Sequence, residues 1–188
     1  MLRPYIAFDM ETTGANPDKC EILEMAAVFD DGVSPIEELK TFREVVSPTL
    51  GYFEYSEPFA MQMPTNQALL TEIIKGGGLP EKDAFKHFAM WLNEVLPFRQ
   101  GNTFAGKNFA AFDGPILKRR RSHCGADVPL HRFGYRSIDI GSIFFKEFGY
   151  VPDSKELKQI VKSPSSDVAH SALADALDVV RAVRARME

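Results

Sequence analysis

The sequence predicts an α/β fold in which a mixed five-stranded sheet, three antiparallel strands and then two parallel ones, carries helices on both faces. Two sets of observations support this prediction. β-rich runs open the chain, and a hairpin-type turn separates two of them. Helical patterns dominate the second half, and two short apolar runs alternate with them. Parallel strands need crossover helices of this kind.

Short apolar runs predict the first three strands. These are Tyr5–Phe8, Ile22–Phe29 and Leu39–Val46. The first run ends in the polar segment 9–14, which closes with a glycine, and Asp30-Asp31-Gly32 provides a hairpin turn between the other two. We therefore expect three consecutive antiparallel strands.

An irregular excursion over the sheet is expected at residues 47–79, where strand alternation disappears and prolines accumulate. It contains one predicted helix, Asn66–Lys75, with Thr65 as its cap. Gly76–Gly78 follows the helix without a preceding strand or a Gly-Lys-Ser/Thr ending. We interpret it as a flexible connector and not as a phosphate-binding loop.

The second half alternates predicted helices and strands. Apolar residues recur at helical spacing from Phe85 to Leu96, with Pro80 opening that segment and Pro97 closing it. The last helix carries the apolar stripe Leu173, Ala176, Leu177, Val180 and Val183. The other predicted elements are strands at Thr103–Gly106 and Arg136–Ile140, and helices at Ala111–Cys124 (ending at Gly125), Gly141–Phe148, Lys155–Val161 and Ser171–Arg186.

Composition indicates one compact domain over residues 1–188, 45% of them hydrophobic. No apolar stretch is long enough to span a membrane and no secretory signal opens the chain, so we expect a cytoplasmic protein without a membrane partner. The net charge of −4 argues against a nonspecific nucleic-acid coat. Cys20 and Cys124 form no Cys-x-x-Cys pair, which argues against a zinc site and a disulfide framework.

Two carboxylates, Asp9 and Glu11, follow the first apolar run. Residues two apart on a strand project from the same face, about 6–7 Å apart. Their repulsion raises one pKa unless a cation intervenes, and a divalent metal ion is the usual resolution. Alternating acids are also common on exposed strand ends, so this pair alone leaves both interpretations open.

Two more polar pairs lie further along the chain. Asn108 and Asp113 precede a helix, where Asn108 could cap a turn and Asp113 could be an acid that the helix dipole favours. His170 and Asp175 lie at the start of the last helix. Five residues of helix separate two side chains by roughly 140°, so this pair converges only if His170 precedes the regular helix.

The three segments together resemble a known family. Phe-Asp-Met-Glu-Thr-Thr-Gly at 8–14, Asn108 with Asp113, and His170 with Asp175, in this order, resemble the DEDDh (DnaQ-like) 3′→5′ exonucleases, which have a ribonuclease H-like fold. The resemblance spans nearly the whole chain. It implies metal-dependent removal of nucleotides from the 3′ end of single-stranded DNA or RNA, with nucleoside 5′-monophosphates as products.

The resemblance also implies roles for individual residues. Asp9, Glu11, Asp113 and Asp175 would hold two Mg²⁺ or Mn²⁺ ions, and His170 would be the general base. The physical logic agrees, because two cations can activate an attacking water and stabilise the leaving oxygen at phosphorus. A histidine with a pKa near neutrality can take the proton of that water.

Substrate contacts are expected from Thr12 at the terminal 3′-hydroxyl, Met10 beside the base or sugar, and Asn108 as a supporting residue. Met10 could equally fill the core, and Thr12 could simply end a strand. The basic run Lys118–Arg121 could meet upstream phosphates or form a solvated helix face.

Single-stranded nucleic-acid 3′ ends are therefore the expected partners, and a DNA polymerase partner, the preferred sugar and the oligomeric state stay open. Two other functions compete with the exonuclease. One is a noncatalytic ribonuclease H-like module that binds nucleic acid or a polymerase, although all five expected positions are filled here. The other is a phosphodiesterase acting on a small nucleotide.

Overall fold

The structure is a computed structural model that describes residues 3–48, 50–96, 103–124, 136–164 and 171–187. Its strands form a single mixed sheet. They are β1 (Tyr5–Thr12), β2 (Ile22–Asp30), β3 (Lys40–Ser47), β4 (Leu79–Pro80), β5 (Phe104–Gly106) and β6 (Ser137–Asp139).

Helices connect these strands and cover both faces of the sheet. No helix in the described ranges is long and apolar enough to cross a membrane. The α-helices are α1 (Pro58–Gln62), α2 (Pro64–Ile74), α3 (Glu81–Val95), α4 (Asp113–Cys124), α5 (Ile140–Ile143), α6 (Phe145–Phe148), α7 (Ser154–Ile160) and α8 (Ala172–Ala185), and a short 3-10 helix covers Ile36–Glu38.

The strand order is β4-β3-β2-β1-β5-β6, with β1, β2 and β3 antiparallel and with β5 and β6 parallel to β1. The predicted α/β fold class is therefore confirmed. The sheet has one strand more than the five predicted, because β4 pairs with the end of β3 over only two residues. A two-residue strand containing a proline shows no alternation that sequence could reveal.

The first strand extends four residues beyond its predicted end at Phe8. Asp9–Thr12 continues the pairing with β2 through Met25, Glu24 and Ile22, although two of its residues are acidic. Backbone pairing with the neighbouring strand thus overrides the low strand propensity of acidic residues. Both acidic side chains are consequently held on a rigid strand.

The helix starts in the excursion differ from those predicted. Pro58–Gln62 was not predicted as a helix, and α2 begins at Pro64 with Met63 as its N-cap, so the prediction of Thr65 as the cap is wrong. A proline at the first helical position has the required φ and needs no backbone donor. The predicted helix ends at Pro97 and Gly125 lie outside the described residues.

Two apolar layers lie on opposite faces of the sheet. Ile6 and Phe8 point to the layer that α3 and α4 cover, whereas Tyr5 and Ala7 point to the layer that α8 covers. On α8, Leu173 and Leu177 of the predicted stripe are only partly buried, while Ala172, Val179 and Ala182 are also buried. Alternation along β1 places Asp9 and Glu11 on the α8 side.

A buried ion pair fixes the far end of α8. The carboxylate of Asp30, at the end of β2, is fully buried and accepts hydrogen bonds from Arg184 Nε at 3.1 Å and Nη2 at 2.6 Å. These contacts hold the pKa of Asp30 below its usual range. The pair joins the last turn of α8 to the end of β2 that pairs with the start of β1, at the other end of the strands from Asp9 and Glu11.

Replacing Arg184 by methionine should lower the free energy of unfolding by about 2–4 kcal/mol, because Asp30 is then left as a buried charge without its guanidinium. Urea unfolding at pH 7 measures this loss. Lys40→Met is the matched control, since Lys40 pairs with Glu94 in the exposed ion pair at 2.8 Å and should cost less than about 1 kcal/mol. Equal losses in the two variants would contradict the assigned role.

Candidate active site

Three carboxylates converge at the carboxyl end of β1. Asp9 and Glu11 project from β1 toward α8, and Asp175 lies in the first turn of that helix. One carboxylate oxygen from each of the three lies within 4.8 Å of the others. The strand and the helix therefore bring together residues that are more than 160 positions apart in sequence.

A fourth carboxylate, that of Asp113, lies beside the cluster at the start of α4. It is the first residue of α4 and only 4% exposed. A turn places it, because Asn108 has a φ of 59° and its carbonyl accepts the backbone N–H groups of Ala111 and Phe112. After burial, the charge of Asp113 is the strongest influence raising the pKa of Asp9.

Burial and the nearness of like charges shift the pKa values of the carboxyl groups in the cluster. Burial and then the charges of Asp113, Asp175 and Glu11 raise the pKa of Asp9 well above its usual value. The pKa of Glu11 is raised to about 8 by burial and by the charges of Asp175 and Glu24. Burial also raises the pKa of Asp113. In the absence of bound cations, several of these groups retain protons near neutral pH.

One basic side chain enters the cluster from α7. Lys158 Nζ lies 2.7 Å from Asp175 Oδ1, and the lysine side chain is only 12% exposed. Its charge lowers the pKa of Glu11, opposing the effects of the neighbouring carboxylates. Lys158, Asp9 and Asp175 also line one cavity of about 50 Å³, together with Lys107 and Ser154.

A fifth carboxylate, Glu24, lies behind the cluster and supports it. Glu24 pairs with Glu11 across the strands, is fully buried, and forms an ion pair with Arg43 at 2.5 Å. Its other oxygen accepts the backbone N–H of Ala172 at 2.8 Å. Glu24 therefore ties the first residue of α8 to β2, and the helix carries Asp175 into the site.

The structure brings together four of the five predicted catalytic residues. Asp9, Glu11 and Asp175 form the cluster and Asp113 adjoins Asp9. The fifth, His170, lies outside the described residues. Its neighbour Ser171 is the N-cap of α8 and accepts the N–H of Ala174 at 3.2 Å.

The three predicted substrate contacts have different surroundings. Met10 is buried in the core on the α3 side, as its alternative interpretation expected. Thr12 is buried and its hydroxyl donates to the Gly14 carbonyl at 2.8 Å. Asn108 is exposed at the turn before α4. Contact between any of them and a nucleotide stays a prediction.

The basic run on α4 is largely turned inward. Arg119 donates to the carbonyls of Pro17 and Cys20, and Arg120 forms ion pairs with Glu81 and Glu21. These two arginines anchor the loop after β1 and the start of α3. Lys118, in contrast, is exposed. The run is therefore not a uniformly solvated face.

Sequence reasoning missed Glu24 and Lys158. Glu24 interrupts the otherwise apolar run Ile22–Val28, and a charge at the centre of a buried strand is a signal of a fixed partner. Lys158 gives no such signal, because a lysine on a short amphipathic helix is ordinarily solvated. Its contact with Asp175 arises only from the packing of α7 beside α8, which the sequence does not show.

Comparison with known proteins gives a consistent result. A protein-family model described as exonuclease (RNase_T) matches residues 6–183. Among solved structures, Exonuclease I from Methylocaldum szegediense is similar, with a TM-score of 0.67 and 19% identity over 98% of this chain. The chain spans 41% of the length of that protein. No curated protein matches the sequence significantly. The structural similarity confirms the ribonuclease H-like fold.

The raised pKa of Glu11 predicts a pH-dependent effect of Glu11→Gln in EDTA. The protonated carboxyl stabilises the folded state fully below its ordinary pKa of 4.5, and this contribution is lost as the pH rises toward about 8. Glutamine keeps the neutral form at every pH. Between pH 5 and pH 8 the free energy of unfolding of the variant should therefore rise by about 3–4 kcal/mol relative to that of the wild type.

Urea unfolding at the two pH values measures this gain. Glu94→Gln, which changes an exposed glutamate, is the matched control and should show no comparable trend. A difference between Glu11→Gln and the wild type that stays constant from pH 5 to pH 8 would contradict the assigned electrostatics.

Glu24→Ala should lower the free energy of unfolding by about 2–3 kcal/mol, because the N–H of Ala172 loses its acceptor inside the protein. Glu24→Gln keeps an acceptor oxygen, and Arg43 is 41% exposed and can be solvated, so this variant should lose only about 1 kcal/mol. Thermal and urea unfolding compare the two. If glutamine were as damaging as alanine, the hydrogen bond to α8 would not be the stabilising contact.

Proposed function

Because the chain belongs to the exonuclease family whose model matches residues 6–183, we propose that it is a metal-dependent 3′→5′ exonuclease. Its substrates are single-stranded DNA or RNA, and its products are nucleoside 5′-monophosphates. One observation carries the proposal: the carboxylate oxygens of Asp9, Glu11 and Asp175 lie within 4.8 Å of one another, beside the buried Asp113.

The donor set fits hard divalent cations. Asp9, Glu11, Asp113 and Asp175 offer only carboxylate oxygens, which Mg²⁺ and Mn²⁺ prefer. Burial raises the pKa values of Asp9, Glu11 and Asp113, and the charges of neighbouring carboxylates raise those of Asp9 and Glu11 further, so a bound cation would relieve a repulsion that the fold imposes. Two Mg²⁺ or Mn²⁺ ions held here would supply charge stabilisation and an activated water for in-line displacement at phosphorus.

The remaining catalytic task is proton transfer. We assign it to His170, which in sequence immediately precedes Ser171, the N-cap of the helix that carries Asp175. A neutral imidazole there takes the proton of the attacking water. Glu24 keeps the start of this helix on the sheet through Ala172, and so indirectly holds Asp175 in place.

Recognition of the 3′ end is assigned to the end of β1 and to the turn before α4. Thr12 meets the terminal 3′-hydroxyl, Met10 borders the sugar or base from the core side, and Asn108 supports the site from its exposed turn. The exposed Lys118 is the member of the basic run suited to an upstream phosphate. Arg119 and Arg120 make contacts within the fold, so their substitution would disturb the structure in addition to any phosphate contact.

The proposal is tested with 5′-labelled single strands of DNA and RNA of equal sequence, incubated with Mg²⁺, Mn²⁺ or EDTA and resolved on denaturing gels. The wild type should give a ladder that shortens from the 3′ end only with metal. Asp9→Ala should lose about a thousandfold in rate, and His170→Ala about a hundredfold or more with metal binding retained. Asp83→Ala, an exposed acid on α3, is the matched control.

Each alternative function gives a different result. A noncatalytic module would bind the strands without shortening them under any metal. A small-nucleotide phosphodiesterase would hydrolyse dinucleotides but leave long strands intact. Full activity of Asp9→Ala would exclude the carboxylate cluster as the site of the reaction.

A further inference from the structure

Lys158 is a basic side chain inside an acidic site. Its ammonium lies 2.7 Å from Asp175 Oδ1, and its charge also lowers the pKa of Glu11. Only 12% of the side chain is exposed, so the contact is unlike the exposed lysine pairs on the surface, such as that between Lys40 and Glu94. Lys158 therefore interacts with two of the three carboxylates that form the cluster.

We propose that Lys158 is a tethered counter-ion, which neutralises the carboxylate cluster before the divalent ions bind and competes with one of them for Asp175. The inference rests on the proposed metal site. If the ammonium stays on Oδ1, it repels a cation bound to the same carboxylate. If it leaves, the cation binds only at the cost of the ion pair between Lys158 and Asp175. Either way, the presence of Lys158 weakens metal binding.

The position of the lysine suits this role. Lys158 lies on α7, next to Leu157, which is buried against the core. The N-cap of this helix, Asp153, forms a capping box with Glu156. The anchored helix delivers the ammonium to one place. The lysine side chain also has room to shift, because it borders a cavity of about 50 Å³, which Ser154 and Lys107 also line.

The same contact should stabilise the protein when no metal is present. Asp9, Glu11, Asp113 and Asp175 repel one another, and the ammonium of Lys158 offsets part of that repulsion. Removing it should therefore have opposite effects on the two forms. The metal-free protein becomes less stable, whereas the affinity for a divalent ion increases. A purely structural ion pair would produce the first effect without the second.

Calorimetric titration of Mn²⁺ into metal-stripped protein and thermal unfolding in EDTA test the proposal without reference to activity. Lys158→Met keeps the apolar stem, and should bind Mn²⁺ about tenfold more tightly than the wild type while melting at a lower temperature in EDTA. Lys158→Arg keeps the charge and should resemble the wild type in both measurements. Lys155→Met removes a lysine from the exposed face of the same helix and should change neither.

Unchanged or weaker Mn²⁺ binding by Lys158→Met, with normal binding by the wild type, would overturn the counter-ion role and leave the proposed function standing. Equal gains in affinity for Lys155→Met and Lys158→Met would also overturn it, because general charge removal would then suffice. Absence of Mn²⁺ binding by the wild type would overturn the metal site and this inference together.

Discussion

Repulsion among carboxylates is the constraint on which the organisation of this protein depends. Asp9 and Glu11 are fixed on a central strand, and Asp113 and Asp175 reach them from the starts of two helices. None of these positions can move away without breaking strand pairing or helix packing. The fold therefore holds negative charges together at a free-energy cost, which a bound cation would offset.

Contacts within the cluster, behind it and at the far end of α8 offset this free-energy cost. Lys158 offsets charge within the cluster itself. Glu24, bound to Arg43 and to the N–H of Ala172, keeps α8 against the sheet where repulsion would push it outward. At the other end of the helix, Asp30 and Arg184 form a second buried attachment. The helix that carries Asp175 is thus attached to β2 at both ends, by a backbone hydrogen bond to Glu24 at its start and by an ion pair with Asp30 in its last turn.

Sequence predicted most of the fold and the composition of the cluster, and the exceptions have physical reasons. Short apolar runs located β1, β2 and β3, while helical spacing located α3 and α8. The two-residue strand β4 and the proline-started α1 have no periodicity to detect. The geometry that unites Asp175 with β1 depends on long-range packing, and so does the partner of Lys158. Local patterns carry no information about such contacts.

Anomalous diffraction from crystals soaked in Mn²⁺ distinguishes the proposed two-cation site from an acidic cluster that binds no metal. We expect two anomalous peaks bounded by Asp9, Glu11, Asp113 and Asp175, with the ammonium of Lys158 displaced from Asp175. Crystals with well-ordered carboxylates but no anomalous peak among them, or with manganese bound only at other acidic surfaces, would contradict it.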